Sequence, residues 1–145
     1  MHIYIDADGC PVVDLTLRIA AQFRVPCTIL CDSAHVIERT DAETITVAKG
    51  PDSVDFRLVN LIGKGDVAIT QDYGLAAMCL ARGAIPLHQN GAVYTDENID
   101  ALLHRRHLSR KFRAAGGRTK GPRPRTREDN EAFEDTLTAL LEKQL

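Results

Sequence analysis

The sequence predicts an α/β protein: a three-layer sandwich with a mostly parallel central sheet. From residue 2 to residue 113, short apolar runs of strand length alternate with segments of helical periodicity. The run CTILCD at 27–32 is apolar almost throughout, which is typical of a strand buried on both faces. Such alternation indicates strands joined by helices that cover both faces of a parallel sheet. A length of 145 residues favours one domain.

The first half of the chain contains three predicted strands and two predicted helices. In chain order we expect strand 2–6, helix 11–23, strand 27–32, strand 43–50 and helix 53–62. Pro11 favours a helix start, because proline is well accepted at the first helical position. Threonine alternates with aliphatic residues in 43–50, as in a strand. Gly63 marks the end of the second helix.

The second half is predicted to add two strands and three helices. We expect strand 66–70, helix 74–82, strand 84–88, a helix from Thr95 that includes Phe112, a loop at 114–127 and helix 128–144. Glycine and proline cluster in AAGGRTKGPRPRTR and predict that loop. Residues 1–113 are thus assigned to the α/β domain. Residues 114–145 form a basic loop and a C-terminal helix packed on the same domain.

Composition narrows the class of protein. Hydrophobic residues make up 44% and charged residues 26%, which excludes disordered, collagenous and coiled-coil chains. No apolar run approaches the roughly 18 residues of a membrane span, and MHIYID lacks the features of a signal peptide. The four cysteines form no CxxC pair and are expected to be free thiols. We expect a cytoplasmic protein without membrane contact, and an oligomer is compatible with the sequence.

Charge is distributed unevenly along the chain. Residues 1–103 carry 7 basic and 14 acidic residues, 104–127 carry 10 basic and none acidic, and 128–145 carry one basic and 6 acidic. A dense basic segment on an acidic body is typical of nucleic-acid or phosphate contact. A solvated loop is the alternative interpretation, as is pairing of these bases with the acidic last helix. We expect Arg113, Arg118, Lys120, Arg123 and Arg125 to contact phosphate.

Acidic residues follow two of the predicted strands. Asp6 and Asp8 come at the end of the first strand, and Asp72 follows the fourth. Ligands of parallel sheets bind at the carboxyl ends of strands, so these carboxylates are candidate ligands of Mg²⁺ or Mn²⁺. Asp55, in the first turn of a helix, is a candidate fourth acid. Thr70 and Gln71 are expected to support the site.

Simpler interpretations of these acids stay open. Aspartate is common in turns, which is enough to account for Asp6, Asp8 and Asp72. Asp55 suits the positive end of its helix dipole without any further role.

Four blocks of the sequence resemble one family. They are IDADGCPV at 5–12, SVDFRLVNLIGKGDVAITQDYGLAAMCL at 53–80, YTDENIDALLHRR at 94–106 and RAAGGRTKGPRPRT at 113–126. Together they resemble the bacterial YaiI/YqxD family over nearly the whole chain. That family is grouped with PIN-like domains, so the resemblance implies a PIN-like fold.

The best-known PIN-like domains are Mg²⁺- or Mn²⁺-dependent ribonucleases. The resemblance implies that Asp6 matches their first-strand acid and Asp72 their fourth-strand acid. Asp8 and Asp55 match the pattern less closely. The mid-chain glutamate of PIN nucleases has no obvious counterpart here. RNA or another nucleic acid is the implied partner.

Two other functions compete with the nuclease. Asp6-Ala7-Asp8-Gly9-Cys10 also resembles DxDGT, the nucleophile loop of haloacid-dehalogenase-type phosphatases. Ser33 would then imitate a phosphate-binding hydroxyl, and Gly65-Asp66 a metal-binding pair, although Asp66 precedes a strand instead of following one. A nucleic-acid-binding module without catalysis needs only the basic segment. We take the nuclease as the leading hypothesis, with Asp6, Asp8 and Asp72 as catalytic residues.

Overall fold

The computed structural model describes residues 1–32, 41–50, 52–119 and 123–144. These residues form five strands and five helices in the predicted order. They are β1 (Ile3–Asp6), α1 (Val13–Phe23), β2 (Cys27–Asp32), β3 (Glu43–Val47), α2 (Ser53–Leu61), β4 (Val67–Ile69), α3 (Tyr73–Ala81), β5 (Ile85–Leu87), α4 (Asp96–Ala114) and α5 (Arg127–Lys143).

The five strands form one parallel sheet in the order β3-β2-β1-β4-β5. The chain adds strands outward from β1 to β3, and then returns to the other side of β1 for β4 and β5. This reversal places β1 and β4 side by side, with Ile5 opposite Ile69. The residues that follow, Asp6 and Thr70, therefore meet at the carboxyl edge of the sheet.

Helices cover both faces of the sheet and complete the three layers. Ile5 of β1 points to the face where α1 and α5 pack, and Phe133 of α5 is fully buried there. Ala68 of β4 points to the other face and packs with Leu75 of α3 and residues of α2. Helix α4 lies outside α3, against which it buries Ile99. The predicted α/β sandwich is confirmed.

The start of α1 differs from the prediction. The helix begins at Val13, because the preceding residues form a tight turn in which the Cys10 amide donates to the Ala7 carbonyl. Gly9 adopts a positive φ of 69° in this turn. Pro11 thus belongs to the turn and not to the first helical position. In the part of the chain described, no helix has the length and apolar composition needed to cross a bilayer.

The C-terminal helix is attached through the loop that follows β5. The Thr136 hydroxyl donates to the Gly91 carbonyl at 2.9 Å. Gly91 has a φ of +93°, and a Cβ atom there would lie 2.6 Å from the Ala132 carbonyl oxygen. Only glycine therefore lets this loop approach the backbone of α5 so closely.

We predict that Gly91→Ala destabilises the protein more than Gly116→Ala does. Both glycines have positive φ, but a Cβ at Gly116 would meet nothing within 4 Å. In both variants a Cβ atom at positive φ should lower the free energy of unfolding by about 1–2 kcal/mol. Gly91→Ala should lower it by about 1–3 kcal/mol more, because its Cβ atom overpacks against α5. The free energy of unfolding, measured by urea denaturation, checks this. Equal losses in the two variants would contradict the contact with α5.

Candidate functional site

The carboxyl ends of β1 and β4 are joined by one hydroxyl group. The buried Thr70 hydroxyl donates to Oδ2 of Asp6 at 2.8 Å and accepts the main-chain N–H of Asp72 at 3.0 Å. Its single proton is thus directed at Asp6, while its lone pair orients the chain that leads into α3. Two of the predicted acids and their predicted supporting residue lie together, as expected from adjacent parallel strands.

Asp72 is held in place by the helix that it begins. Its Oδ1 accepts the N–H groups of Gly74 at 2.8 Å and Leu75 at 3.2 Å, which makes it the N-cap of α3. The same oxygen accepts an N–H of Arg106 from α4 at 3.2 Å. A Cβ atom at Gly74 would lie 3.2 Å from this oxygen, so glycine keeps the space beside it clear.

A cavity of about 300 Å³ opens at this edge of the sheet and is strongly acidic. Six aspartates line it: Asp6, Asp8, Asp32, Asp52, Asp55 and Asp72. Asp8 accepts the main-chain N–H of Asp32 at 3.3 Å, which ties the ends of β1 and β2 together. Gln71 also lines the cavity.

The sequence analysis named four of these acids and missed Asp32 and Asp52. Asp32 ends an apolar strand in the same way as Asp6, and this signal was available in the sequence. Asp52 directly precedes the predicted helix 53–62 and shows no further signal in the sequence. It is the N-cap residue of α2 and has a positive φ of 60°.

Burial and neighbouring carboxylates raise the pKa values of Asp6 and Asp55. The pKa of Asp6 is raised to about 6, mainly by burial and further by Asp55, Asp8 and Asp72, against the lowering effect of the Thr70 hydrogen bond. The pKa of Asp55 is also raised to about 6, mainly by burial and then by Asp72 and Asp52, with Arg106 opposing. Negative charge is therefore only partly compensated within the cavity.

The donor set suits a hydrated divalent cation. Carboxylate oxygens are preferred ligands of Mg²⁺ and Mn²⁺. Across the described ranges, however, no three Asp, Glu, His or Cys side chains are grouped closely enough to hold a metal ion. Mg²⁺ commonly uses one or two carboxylates, several waters and a substrate phosphate, and of these the cavity supplies the carboxylates. Binding of Mg²⁺ or Mn²⁺ stays a prediction.

A second cavity of about 550 Å³ adjoins the acidic one and shares Asp52, Asp55 and Asp72 with it. Its other wall is one face of α4, where Leu103, Arg106, His107 and Arg110 recur at helical spacing. The sequence analysis counted the two arginines in the basic segment but did not single them out. Their position depends on how α4 packs on α3, which the sequence pattern does not specify.

Two of the predicted phosphate-binding arginines are bonded to α5 and to the loop that follows β5. Arg123 forms two hydrogen bonds to the Asp129 carboxylate, at 2.9 and 2.6 Å, and holds the pKa of Asp129 well below its usual range. Arg125 donates to the Gln89 carbonyl at 2.7 Å and to Asn130 at 2.8 Å. Both guanidinium groups therefore fasten the start of α5.

The other predicted residues have different surroundings. Arg113 and Arg118 are exposed, and Arg113 donates to the Thr119 hydroxyl at 3.1 Å. Lys120 and Ser33 lie outside the described residues. Phosphate contact by the basic segment stays a prediction.

The phosphatase pattern does not assemble. Asp66 precedes β4 and accepts the main-chain N–H groups of His2 at 3.0 Å and Gly63 at 2.9 Å. Because β1 and β4 are parallel, Asp66 lies at the amino edge of the sheet and Asp6 at the opposite edge. Asp66 therefore has no access to a metal ion held near Asp6.

We predict that Asp55→Asn stabilises the metal-free protein at pH 8 and not at pH 4. A carboxyl pKa raised from 3.8 to about 6 means that the folded state binds this proton more tightly than the unfolded chain. Stability contributed by the protonated form is full below pH 4 and is lost as the pH rises through 6. Removing the charge should raise the free energy of unfolding by about 1 kcal/mol at pH 8, since solvent screens this partly exposed group.

The control is Asp100→Asn, which alters an exposed aspartate of α4 outside both cavities. Urea denaturation in EDTA from pH 4 to pH 8 measures both variants against the parent. A loss of stability in Asp55→Asn at pH 8 would contradict the mutual repulsion of these carboxylates.

Comparison with known proteins identifies the family. The sequence model of the bacterial YaiI/YqxD family, which is described as uncharacterised, matches residues 4–143. A UPF0178 protein of Exiguobacterium sibiricum is 53% identical over 141 residues, which cover 97% of this chain and 96% of the relative. A UPF0178 protein of Clostridium acetobutylicum is 46% identical over 143 residues, covering 97% of each chain. No solved structure matches the chain. The resemblance seen in the sequence is confirmed, and the chain belongs to the YaiI/YqxD family.

Proposed function

We propose that this protein is a divalent-metal-dependent phosphodiesterase that cleaves RNA. The observation that carries the proposal is the pairing of Asp6 and Asp72 through Thr70 at the β1–β4 junction, where the acidic cavity adjoins the arginine-bearing face of α4. Open parallel sheets bind ligands at the point where strand order reverses, and β1 and β4 form that point.

The acidic cavity supplies the candidate metal ligands. One or two of the candidate acids Asp6, Asp8, Asp72 and Asp55 would hold Mg²⁺ or Mn²⁺, with water and a substrate phosphate as the other ligands. When bound, such an ion activates water and neutralises charge on the scissile phosphate. Thr70 keeps the Asp6 carboxylate directed into the cavity.

The α4 wall supplies the positive charge that a phosphodiester requires. Arg106 and Arg110 lie on the same face of α4 and line the cavity that adjoins the acids. Guanidinium groups bind phosphate oxygens through paired hydrogen bonds. A strand could therefore place one phosphate beside the carboxylates and the next beside these arginines.

The partner is inferred from the charge of the whole segment. Ten basic and no acidic residues lie within 104–127, which suits a polyanion better than a small substrate. Arg113 and Arg118 are exposed and lie outside the cavity lining. The resemblance to PIN-like ribonucleases favours RNA over DNA.

We predict that Asp72→Asn loses Mn²⁺-dependent cleavage of single-stranded RNA and keeps its RNA affinity. The fold should persist because asparagine also caps a helix. Loss of a metal-binding charge should lower the cleavage rate by about 100-fold or more. Cleavage of an end-labelled RNA in Mn²⁺ and binding of the same RNA in EDTA are the two measurements, with Asp100→Asn as the control.

The same assays, carried out on the parent protein, distinguish the competing functions. RNA binding with no cleavage of RNA or DNA under any divalent metal would identify a nucleic-acid-binding module without catalysis. Hydrolysis of a phosphomonoester alone would identify a phosphatase. Either result would overturn the proposal.

We predict that the basic residues divide into two groups in their effect on the salt dependence of RNA binding. Replacing Arg110, Arg113 and Arg118 with glutamine should flatten the plot of log affinity against log salt by about 0.7 per lost phosphate contact, or roughly 2 in total. Arg123→Gln should change this slope less than the loss of any one of these arginines, because two of its guanidinium nitrogens bond to the Asp129 carboxylate, which is only 12% exposed and competes with phosphate. A slope unaltered by the triple replacement would rule out these arginines as phosphate ligands.

A further inference from the structure

An exposed phenylalanine lies in the cavity that adjoins the acidic site. Phe56 of α2 is 61% exposed, although large apolar side chains are normally buried. It lines the 550 Å³ cavity together with Met78 of α3 and Leu103 of α4. Arg106 and Arg110 line the same cavity. An open aromatic ring, an apolar surface and two guanidinium groups thus share one space.

We propose that this cavity binds one nucleotide unit, with the base stacked on Phe56 and the phosphate bound by Arg106 and Arg110. The inference rests on the proposed function, because the bound unit would be the RNA nucleotide next to the scissile phosphate. The volume lies within the range of about 300–1,000 Å³ that is typical of small-molecule sites.

The charges of the cavity fix the orientation of this nucleotide. Asp52 and Asp55 line the end shared with the acidic cavity and repel an anion. The phosphate therefore lies at the α4 end, where the two arginines offer planar, paired donors.

Arg106 can exchange one anionic partner for another. Its contact with Asp72 is 3.2 Å long, and the two side chains are 36% and 33% exposed. Ion pairs this open to solvent are weak, so a phosphate can displace the carboxylate. The displaced carboxylate would then be available to a cation in the acidic cavity.

Stacking on Phe56 recognises the aromatic ring of a base and not the identity of that base. Aromatic side chains stack on all four bases, because each base has a π-face. Met78 and Leu103 add apolar contact beside the ring. The site should therefore accept different nucleotides with similar affinity.

The test compares adenosine 5′-monophosphate with ribose 5-phosphate, which carries the same sugar and phosphate without a base. Both are titrated in EDTA and followed by NMR chemical shifts of the cavity residues. The parent should bind the nucleotide about 5- to 100-fold more tightly than the sugar phosphate, as expected for one stacked base. Phe56→Ala should abolish this difference and leave affinity for ribose 5-phosphate unchanged.

Two further variants separate the parts of the site. Phe112→Ala is the matched control, because Phe112 is 54% exposed and lies outside the cavity. It should keep the preference for the nucleotide. Arg110→Gln should weaken both ligands by the same factor, since both carry the phosphate. Should Phe56→Ala fail to fold, Phe56→Leu keeps an apolar side chain without the ring and is expected to lose the same preference.

The outcomes distinguish this inference from the proposed function. Equal affinity of the parent for the two ligands, or no shift of cavity resonances with the nucleotide, would overturn the nucleotide site even in a protein that cleaves RNA. The expected pattern would establish the site even where no cleavage is observed, because neither titration contains a metal ion.

Discussion

The candidate site at the β1–β4 junction depends on the two hydrogen bonds of the Thr70 hydroxyl. This hydroxyl donates to the Asp6 carboxylate and accepts the main-chain N–H of Asp72. The reversal of strand order brings β4 beside β1, and this hydroxyl then sets where the first carboxylate lies relative to the start of α3. Helix α3 in turn fixes Asp72 through its own N–H groups. The Asp6 carboxylate is thus oriented by a side-chain hydroxyl at the end of β4, and the Asp72 carboxylate by the first N–H groups of α3.

The protein accepts an electrostatic cost at this edge. Six aspartates line one small cavity, and burial with mutual repulsion raises the pKa of Asp6 and Asp55. Arg106 is the neighbour that opposes the shift at Asp55, and it also contacts Asp72. Carboxylates whose charged form is disfavoured in this way lower the stability of the fold and suit a cation or a shared proton.

The basic residues of 104–127 have two kinds of surroundings, which the charge pattern does not distinguish. Arg123 and Arg125 fasten α5, whose Phe133 is part of the main core, so these bases act within the fold. Arg106 and Arg110 face the cavity beside the acids. The difference arises because α4 continues through the first part of the basic segment, whereas Arg123 and Arg125 lie just before α5.

The sequence by itself determined the α/β class, the order of the elements and the pairing of acids at strand ends. Apolar runs and helical spacing are local signals, and parallel strands necessarily align their carboxyl ends. The sequence also identified the family, through motifs spread along the chain. Only the tertiary structure decided that Asp32 and Asp52 join the acidic cavity and that Phe56 opens into a second one. Those placements depend on strand order and on the packing of α4 against α3, which are long-range contacts between segments whose local patterns are independent of one another.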